Sequence, residues 1–596
     1  MTRKIRTYLP YIFLCVLTIG LLLPMFYRSL IFDEQVYFYY AWMLKTGEKF
    51  YYSSWFDDKG PLIYLIYLIA FLSKSNNINI VLLKILTLIY QTITVCLFYK
   101  LASRFTSKTI LVSILFAVLY FGSTFEGQYS NADNFILLPV LLAYLLFFNK
   151  RYYWSSFILG LAFMLKQNSV IEVVPLVIFV LLEQKCAIKK LIKTYVLMFL
   201  SFITPFVLFS LYCAVLGTFP TFFSIFLYDR LTTQLTKPNH EFFIRYFSQI
   251  FAQTWFLWIA ALMYFAVFPY MYFKKRSELS NYMFILVWLL FSILCVIPGG
   301  NFFPHYFLIL VPVLVFCLAY MVNLLPRVYA VALFVLVIVL SLYNSPYSLM
   351  RQYRSIYQHK TVNQTEYETT SHIVANYLTA VGATKTFVYD FTPALYIYSQ
   401  TKPPFPYPFK FLYIDYTKVS SANIYLSVHN YEAKQVQLIN MVKDGKIDYM
   451  VISAYDVVSD QEIEELKFLY AILPYFKVEK TFDRFWVYKY VGFTQPNGTS
   501  SVGVQSLNVR PDKHAILTVT RDLMLPDVSA DIKCGAVNWH FPENGIDYPM
   551  TAKQSNTSID FNFFMRGIDE SACNLVVKNM DGKTWTTSFK LGKAST

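Results

Sequence analysis

Long apolar runs separated by short basic clusters fill the first 345 residues, whereas the remaining 250 switch between short helical and alternating strand patterns. The runs lie at 9–30, 79–99, 109–123, 134–148, 152–165, 169–183, 194–216, 250–273, 280–297, 305–325 and 328–345. A membrane-crossing helix needs about 20 apolar residues, so several of these spans are short or tilted. A further apolar stretch, 61–73, is too short to cross, and its PLIYLIYLIAFL sequence suits the membrane interface. The segment 152–183 is long for one span and short for two. Two short helices meeting near Lys166 and Gln167 are expected, because one span there would place later basic clusters on the wrong side.

The pattern predicts a mixed α/β domain over 346–491: helix ETTSHIVANYLTAVGA, strand TFVYDF, a helix near 429–444, strand DYMVIS, a short helix near 460–468, then paired strands YFKVEKTF and RFWVYKYV. Between them TKPPFPYPF is proline-rich and cannot be helical. From 492 to 596, short alternating strands with polar turns predict a small β-sandwich. Trp539 and Trp585 are its candidate carbohydrate-stacking residues, with core packing as the plainer reading.

Composition agrees with a membrane protein. The chain is 56% hydrophobic and 15% charged, against about 45–50% and 25% for a typical soluble chain. The net charge of +15 resides in the apolar part: residues 1–345 carry 26 Lys and Arg against 12 Asp and Glu, and the rest is nearly neutral. A nucleic-acid binder would concentrate basic residues on a soluble face, so that class is excluded. The basic clusters instead mark cytoplasmic turns: Arg3/Lys4/Arg6, Lys100/Arg104/Lys108, Lys150/Arg151, Lys185 to Lys193, Lys274 to Arg276, and Arg327. This arrangement places the N-terminus in the cytoplasm. Eleven spans then leave the domains 346–491 and 492–596 outside, in a bacterial cell membrane.

Acids of the membrane part, 1–345, gather at the external ends. Asp33 and Glu34 follow the first span; Asp57, Asp58 and Lys59 lie later in the same loop; Glu126 and Asp133 bracket the second external loop; Arg230 and Arg245 occupy 217–249; His305 opens the tenth span. Val36, Tyr39, Tyr40, Met43 and Leu44 recur at helical spacing, which puts Asp33 at a helix N-cap and Gly47 at its end. A capping carboxylate exposed at the membrane surface can also take a proton from a hydroxyl. Lys59, held by the turn at Gly60 and Pro61, reads either as a surface ion pair or as a contact for a lipid phosphate. Lys166 reads as a snorkelling residue or a phosphate contact, and His305 as a span anchor or a site residue. Paired acids such as Asp57 and Asp58 could hold a divalent cation; no cofactor is otherwise required.

The order of a basic N-terminus, a first span, Asp-Glu, an amphipathic helix, DDKGPL and an aromatic helix resembles the GT-C membrane glycosyltransferases. The resemblance is to the branch of aminoarabinose transferase and the protein O-mannosyltransferases. NADNFILLPVLLAYLLFF around Asp133, GLAFMLKQ ending at Gln167, and HYFLILVPVL from His305 extend it over about residues 1–345. It implies a polytopic α-helical fold and inverting transfer of a sugar from a polyprenyl-phosphate donor to a glycan, lipid or protein acceptor. On the matching positions, Asp33 would be the general base and Lys59 the donor-phosphate residue. Arg230, Arg245, Lys166 and His305 are further phosphate candidates, and Glu34, Asp57, Asp58, Glu126 and Asp133 supporting acids. Gly60 stands where the family usually has a proline, so this turn departs from the pattern.

Two other functions share the same topology: a transporter or flippase of lipid-linked glycans, and a non-catalytic envelope scaffold that binds glycan. A transporter would be expected to place charges near the midplane of repeated halves, and no such repeat is evident. Cys534 and Cys573, in separate strands of the external part, are a candidate disulfide.

Overall fold

The computed structural model describes residues 3–343 except 29, 53–54, 56, 75, 123, 184–187, 229–242, 275–277, 298–301 and 324–325. It further describes 353–354, 366–389, 393–404, 431–453, 468, 471–482, 485–493 and eight strand segments between 502 and 590. The chain forms two compact units, Met1–Thr365 and Glu366–Thr596. The first is helical; the second carries three small sheets.

All eleven apolar runs contain helix. Among the described residues, six helices are long and apolar enough to cross a membrane: Tyr8–Tyr27, Ile78–Phe105, Ile188–Leu216, Ile244–Ala266, Leu279–Val296 and Pro304–Val322. Others are shorter. Thr109–Tyr120 has 12 residues, about 18 Å of helix against a hydrocarbon core of about 30 Å. The 152–183 segment is a helix Tyr152–Phe163, a break at 164–166, a 3₁₀ turn Gln167–Glu172 and a helix Val173–Glu183. Lys166 is extended at the break, with φ −156° and ψ 132°. Pro61–Ile69 is a separate nine-residue helix.

The loop after the first span is held by aromatic packing and one buried ion pair. Helix Phe32–Lys45 packs on Pro61–Ile69, where Trp55 stacks on Tyr40 at 4.1 Å and meets Tyr64 edge-on at 4.7 Å. Each such pair contributes roughly 0.5–1.5 kcal/mol beyond its area burial. The helix stops where Gly47 adopts φ +97°, a conformation open to glycine. Its start differs from expectation: Ile31, not Asp33, is the N-cap. Glu34 takes the capping role, accepting the Ile31 N–H at 2.9 Å.

Glu34 is itself fixed by Arg28, whose two terminal nitrogens donate to its two oxygens at 3.1 and 2.9 Å. Arg28 also donates to the Gln128 carbonyl at 2.8 Å and lies 3.9 Å from the Tyr129 ring centre. The Ser130 N–H donates to Glu34 at 2.5 Å. One acid therefore clamps the loop after the first span to the segment before Ala132–Phe148. Burial alone would raise the Glu34 carboxyl, but the Arg28 charge and these hydrogen bonds outweigh it and hold the group below its usual range.

In the second unit, strands β1 (Thr386–Tyr389), β2 (Tyr449–Ser453), β3 (Phe476–Phe482) and β4 (Phe485–Tyr490) form a sheet in the order β1-β2-β4-β3. β1 and β2 are parallel, with helix Tyr431–Lys443 between them in the chain, and the other pairs are antiparallel. The expected helix near 460–468 and the loop beyond Pro404 lie outside the described residues, apart from Phe468. Strands β5 to β12, from Val502–Val509 to Thr584–Lys590, make two antiparallel sheets of four strands each. The register of β11 (Ala572–Lys578) on β7 (Ser529–Cys534) sets Cys573 opposite Cys534. The side chains of these cysteines, and of Trp539 and Trp585, lie outside the described residues.

Candidate active site

Four segments of the helical unit converge on His305, which opens a 3₁₀ turn, Pro304–Leu310, ahead of helix Val311–Asn323. Its Nδ1 lies 2.7 Å from Glu126 Oε2, and its Nε2 lies 3.8 Å from Asp33 Oδ2 and 4.0 Å from Asp133 Oδ2. The imidazole is 9% exposed, against 32% for the Asp33 side chain and 31% for that of Glu126. Two carboxylates thus open outward from a histidine that is nearly sealed.

Local sequence explains each position. Asp33 sits in the first turn of Phe32–Lys45, next to the residue that performs the capping. With Glu34 holding the backbone, Asp33 has no hydrogen bond among the described residues and keeps only the contact with His305. Asp133 lies in the first turn of Ala132–Phe148, whose N-cap is Asn131, the Asn131 side chain accepting the Asn134 N–H at 3.0 Å. Glu126 adopts φ +57°, a strained conformation for a residue with a Cβ. The adjacent Gly127 is required, since an added Cβ would sit 1.5 Å from the Tyr120 carbonyl oxygen.

Lys166 projects from the break between the two short helices and donates to both oxygens of Asp133, at 2.7 and 2.8 Å. Its ammonium lies 3.8 Å from the Tyr306 ring centre, and its side chain is 1% exposed. It is neither a snorkelling residue nor turned outward; it neutralises Asp133. Arg245 is exposed, next to Tyr246, whose ring packs against Phe303 at 5.6 Å. Arg230 lies outside the described residues.

The Lys59 turn is zipped onto the same break. Gly60 N–H donates to the Leu165 carbonyl and Leu62 N–H to the Met164 carbonyl, each at 3.2 Å. Gln167 Nε2 donates to the Asp58 carbonyl at 2.5 Å. An added Cβ at Gly60 would lie 1.9 Å from the Met164 carbonyl oxygen, so the departure from proline noted in the sequence has a steric cause. Gly60→Ala is expected to lower the thermal midpoint and the folded yield in detergent, since such overpacking costs about 1–3 kcal/mol. A variant as stable as the parent would show that the turn can move aside.

Lys59 Nζ lies 2.6 Å from Asp58 Oδ1 and 3.9 Å from Asp57 Oδ1. Asp57 is buried, and burial pushes its carboxyl up to about 6 against the opposing pull of Lys59, with Asp58 and Asp33 adding to the rise. Asp33, Asp57 and Asp133 all act on the buried Tyr37 phenol, which burial and these carboxylates push well above its ordinary value. No cluster of three or more potential metal ligands occurs among the described residues.

No family model and no curated relative matches the sequence. Solved structures do. ArnT from Cupriavidus metallidurans, crystallised with undecaprenyl phosphate, aligns over 81% of this chain and 99% of its own, with a TM-score of 0.52 at 12% identity. The chain has an ArnT-like fold. The apo structure of the same protein aligns over 83% of this chain and 100% of its own, again with a TM-score of 0.52 and 12% identity. The resemblance to aminoarabinose transferase, first read from short motifs, thus extends to the three-dimensional fold over more than four-fifths of the chain. With its long apolar helices, that fold makes this an integral membrane protein.

Three residues of the site region gave no signal in the motif reading. Arg28 could have been found, being a lone cation at the end of the first span opposite its basic start. Tyr306 reads only as part of an apolar run. Glu172 lies within another apolar run; it is fully buried, accepts from the Tyr144 hydroxyl at 2.5 Å and from Ser292 Oγ at 2.8 Å, and ties its 3₁₀ turn to two helices.

Proposed function

We propose that the protein is an inverting membrane glycosyltransferase that moves a sugar from a polyprenyl-phosphate donor to a hydroxyl of a glycan, glycolipid or protein on the external face. The observation that carries this reading is Asp33: an outward-facing carboxylate with no hydrogen-bond commitment among the described residues, within an ArnT-like fold. Asp33 takes the proton of the acceptor hydroxyl as its oxygen attacks the anomeric carbon. Lys59 stabilises the charge that develops on the departing phosphate. A phosphate would take the place of Asp58 against the Lys59 ammonium. The basic clusters support a cytoplasmic N-terminus and eleven crossings, with the second unit external.

The test uses purified protein in lipid nanodiscs, a panel of synthetic undecaprenyl-phosphate-linked hexoses and pentoses, and an envelope lipid and glycan extract. Undecaprenyl phosphate should be released from one donor as its sugar appears on an acceptor with inverted configuration. Failure with every donor would count against the reading. With the productive donor, Lys59→Gln is expected to lower kcat/KM by roughly 10²-fold or more.

Glu172 separates this reading from transport. A transporter would use a buried acid among its helices directly, whereas here Glu172 accepts hydrogen bonds from Tyr144 and Ser292 on two neighbouring helices. Folded Glu172→Gln should transfer sugar at close to the parent rate; loss of transfer in a stable variant would give that acid a functional role.

A further inference from the structure

We infer that His305, oriented by Glu126, receives the proton that Asp33 takes from the acceptor, so that the three residues act as one base. The inference rests on the proposed transferase reading. Its basis is geometric: Nδ1 of one nearly sealed imidazole faces Glu126, while Nε2 faces Asp33 and also Asp133, which Lys166 already neutralises. Nδ1 lies 2.7 Å from Glu126 Oε2 and Nε2 lies 3.8 Å from Asp33 Oδ2. A neutral imidazole has one N–H and one lone pair. The hydrogen bond to an acceptor-only carboxylate assigns the N–H to Nδ1, which leaves the lone pair on Nε2, facing Asp33.

The ring cannot turn freely. Phe303 lies near-parallel to it, with centroids 5.7 Å apart, and Tyr306 meets it edge-on at 4.9 Å. The charged groups around it are Asp33 from Phe32–Lys45, Glu126 from the preceding loop, Asp133 from Ala132–Phe148, and Lys166 from the helix break. Arg245 is exposed, beside Tyr246. Lys166 already neutralises Asp133, so Asp33 and Glu126 remain to balance an imidazolium.

The proton balance is as follows. The acceptor O–H bond breaks and its oxygen bonds to the anomeric carbon. The bond from that carbon to the phosphate oxygen breaks, its electron pair leaving on the phosphate. The proton passes to Asp33 Oδ2 and on to His305 Nε2, while Nδ1 keeps its own proton toward Glu126. After transfer the imidazolium returns the proton from Nε2 through Asp33 to water at that partly exposed carboxylate, which restores the Nδ1–H tautomer. Imidazole is a stronger base than carboxylate, so the second transfer runs downhill. It also draws the first transfer forward. The gap of 3.8 Å must close in the loaded complex, as catalytic hydrogen bonds commonly do.

The pH–rate profile tests this with the productive undecaprenyl-phosphate-linked sugar from the donor panel. In the parent, the acid limb of kcat should follow the imidazole, because Nε2 must be unprotonated to receive the proton. In His305→Gln, kcat should fall about 10–100-fold with both KM values little changed. Its acid limb should move to lower pH, because a carboxylate is then the remaining base. Glu126→Gln, at a more exposed position, should move the limb in the same direction and serves if His305→Gln does not fold. A limb that stays in place in both variants, or a change confined to KM, would make His305 a structural anchor and overturn the inference alone. Full activity in Asp33→Asn would overturn the base assignment, and the inference with it.

Discussion

Asp33→Asn is expected to abolish sugar transfer while the protein stays folded and inserted. The substitution keeps the size and removes the charge. Little stability should be lost, because Asp33 is partly exposed, makes no hydrogen bond among the described residues, and leaves the capping of its helix to Glu34. The acceptor hydroxyl would then have no base, a loss of about 10²–10⁴-fold for a positioned proton acceptor. His305 should not substitute for it: its Nε2 is 3.8 Å behind Asp33 and the ring is 9% exposed. The measurement is single-turnover release of undecaprenyl phosphate alongside size-exclusion behaviour and thermal midpoint. A folded variant with parental activity would remove Asp33 from the mechanism.

Glu34→Ala should be the most damaging change to stability. It removes one member of a pair whose side chains are 4% and 1% exposed and leaves the Arg28 guanidinium buried without its counter-charge. Breaking a buried pair from one side costs about 3–5 kcal/mol. The Ser130 and Ile31 N–H groups would lose an acceptor as well. The same pair gives the stability a pH dependence of definite sign. The Glu34 carboxyl is held below its usual range in the folded state, so its contribution is present above the unfolded-state value of about 4.3 and is lost as the pH falls below it. Thermal midpoints measured from pH 7 to pH 3 should fall in the parent and flatten in Glu34→Ala. Equal midpoints for parent and variant at pH 7 would show that the clamp does not hold the fold.

These two adjacent acids show what local sequence can and cannot distinguish. The Asp-Glu pair after the first span marked the right helix turn, because apolar periodicity and Gly47 define that helix locally. It did not reveal which acid capped the helix. That was decided by Arg28, Gln128 and Ser130, two of them about a hundred positions along the chain. The break at Lys166 was legible for a similar reason: span length and the side of the basic clusters are readable one segment at a time. The partner of Lys166 was not, since Asp133 and Tyr306 arrive from separate helices. Gly60 looked like a defect in a motif until the Met164 carbonyl was found against it. His305 was one of several phosphate candidates, and only the fold shows it facing three carboxylates.

The central claim is that a lipid-linked phosphate docks beside Lys59 with its sugar toward Asp33. Cryo-electron microscopy of the protein in nanodiscs containing undecaprenyl phosphate tests it directly. Phosphate density is expected in contact with the Lys59 ammonium, displacing Asp58, with open space between it and the Asp33 carboxylate. Density for the phosphate elsewhere, with the Lys59–Asp58 pair intact, would contradict the account.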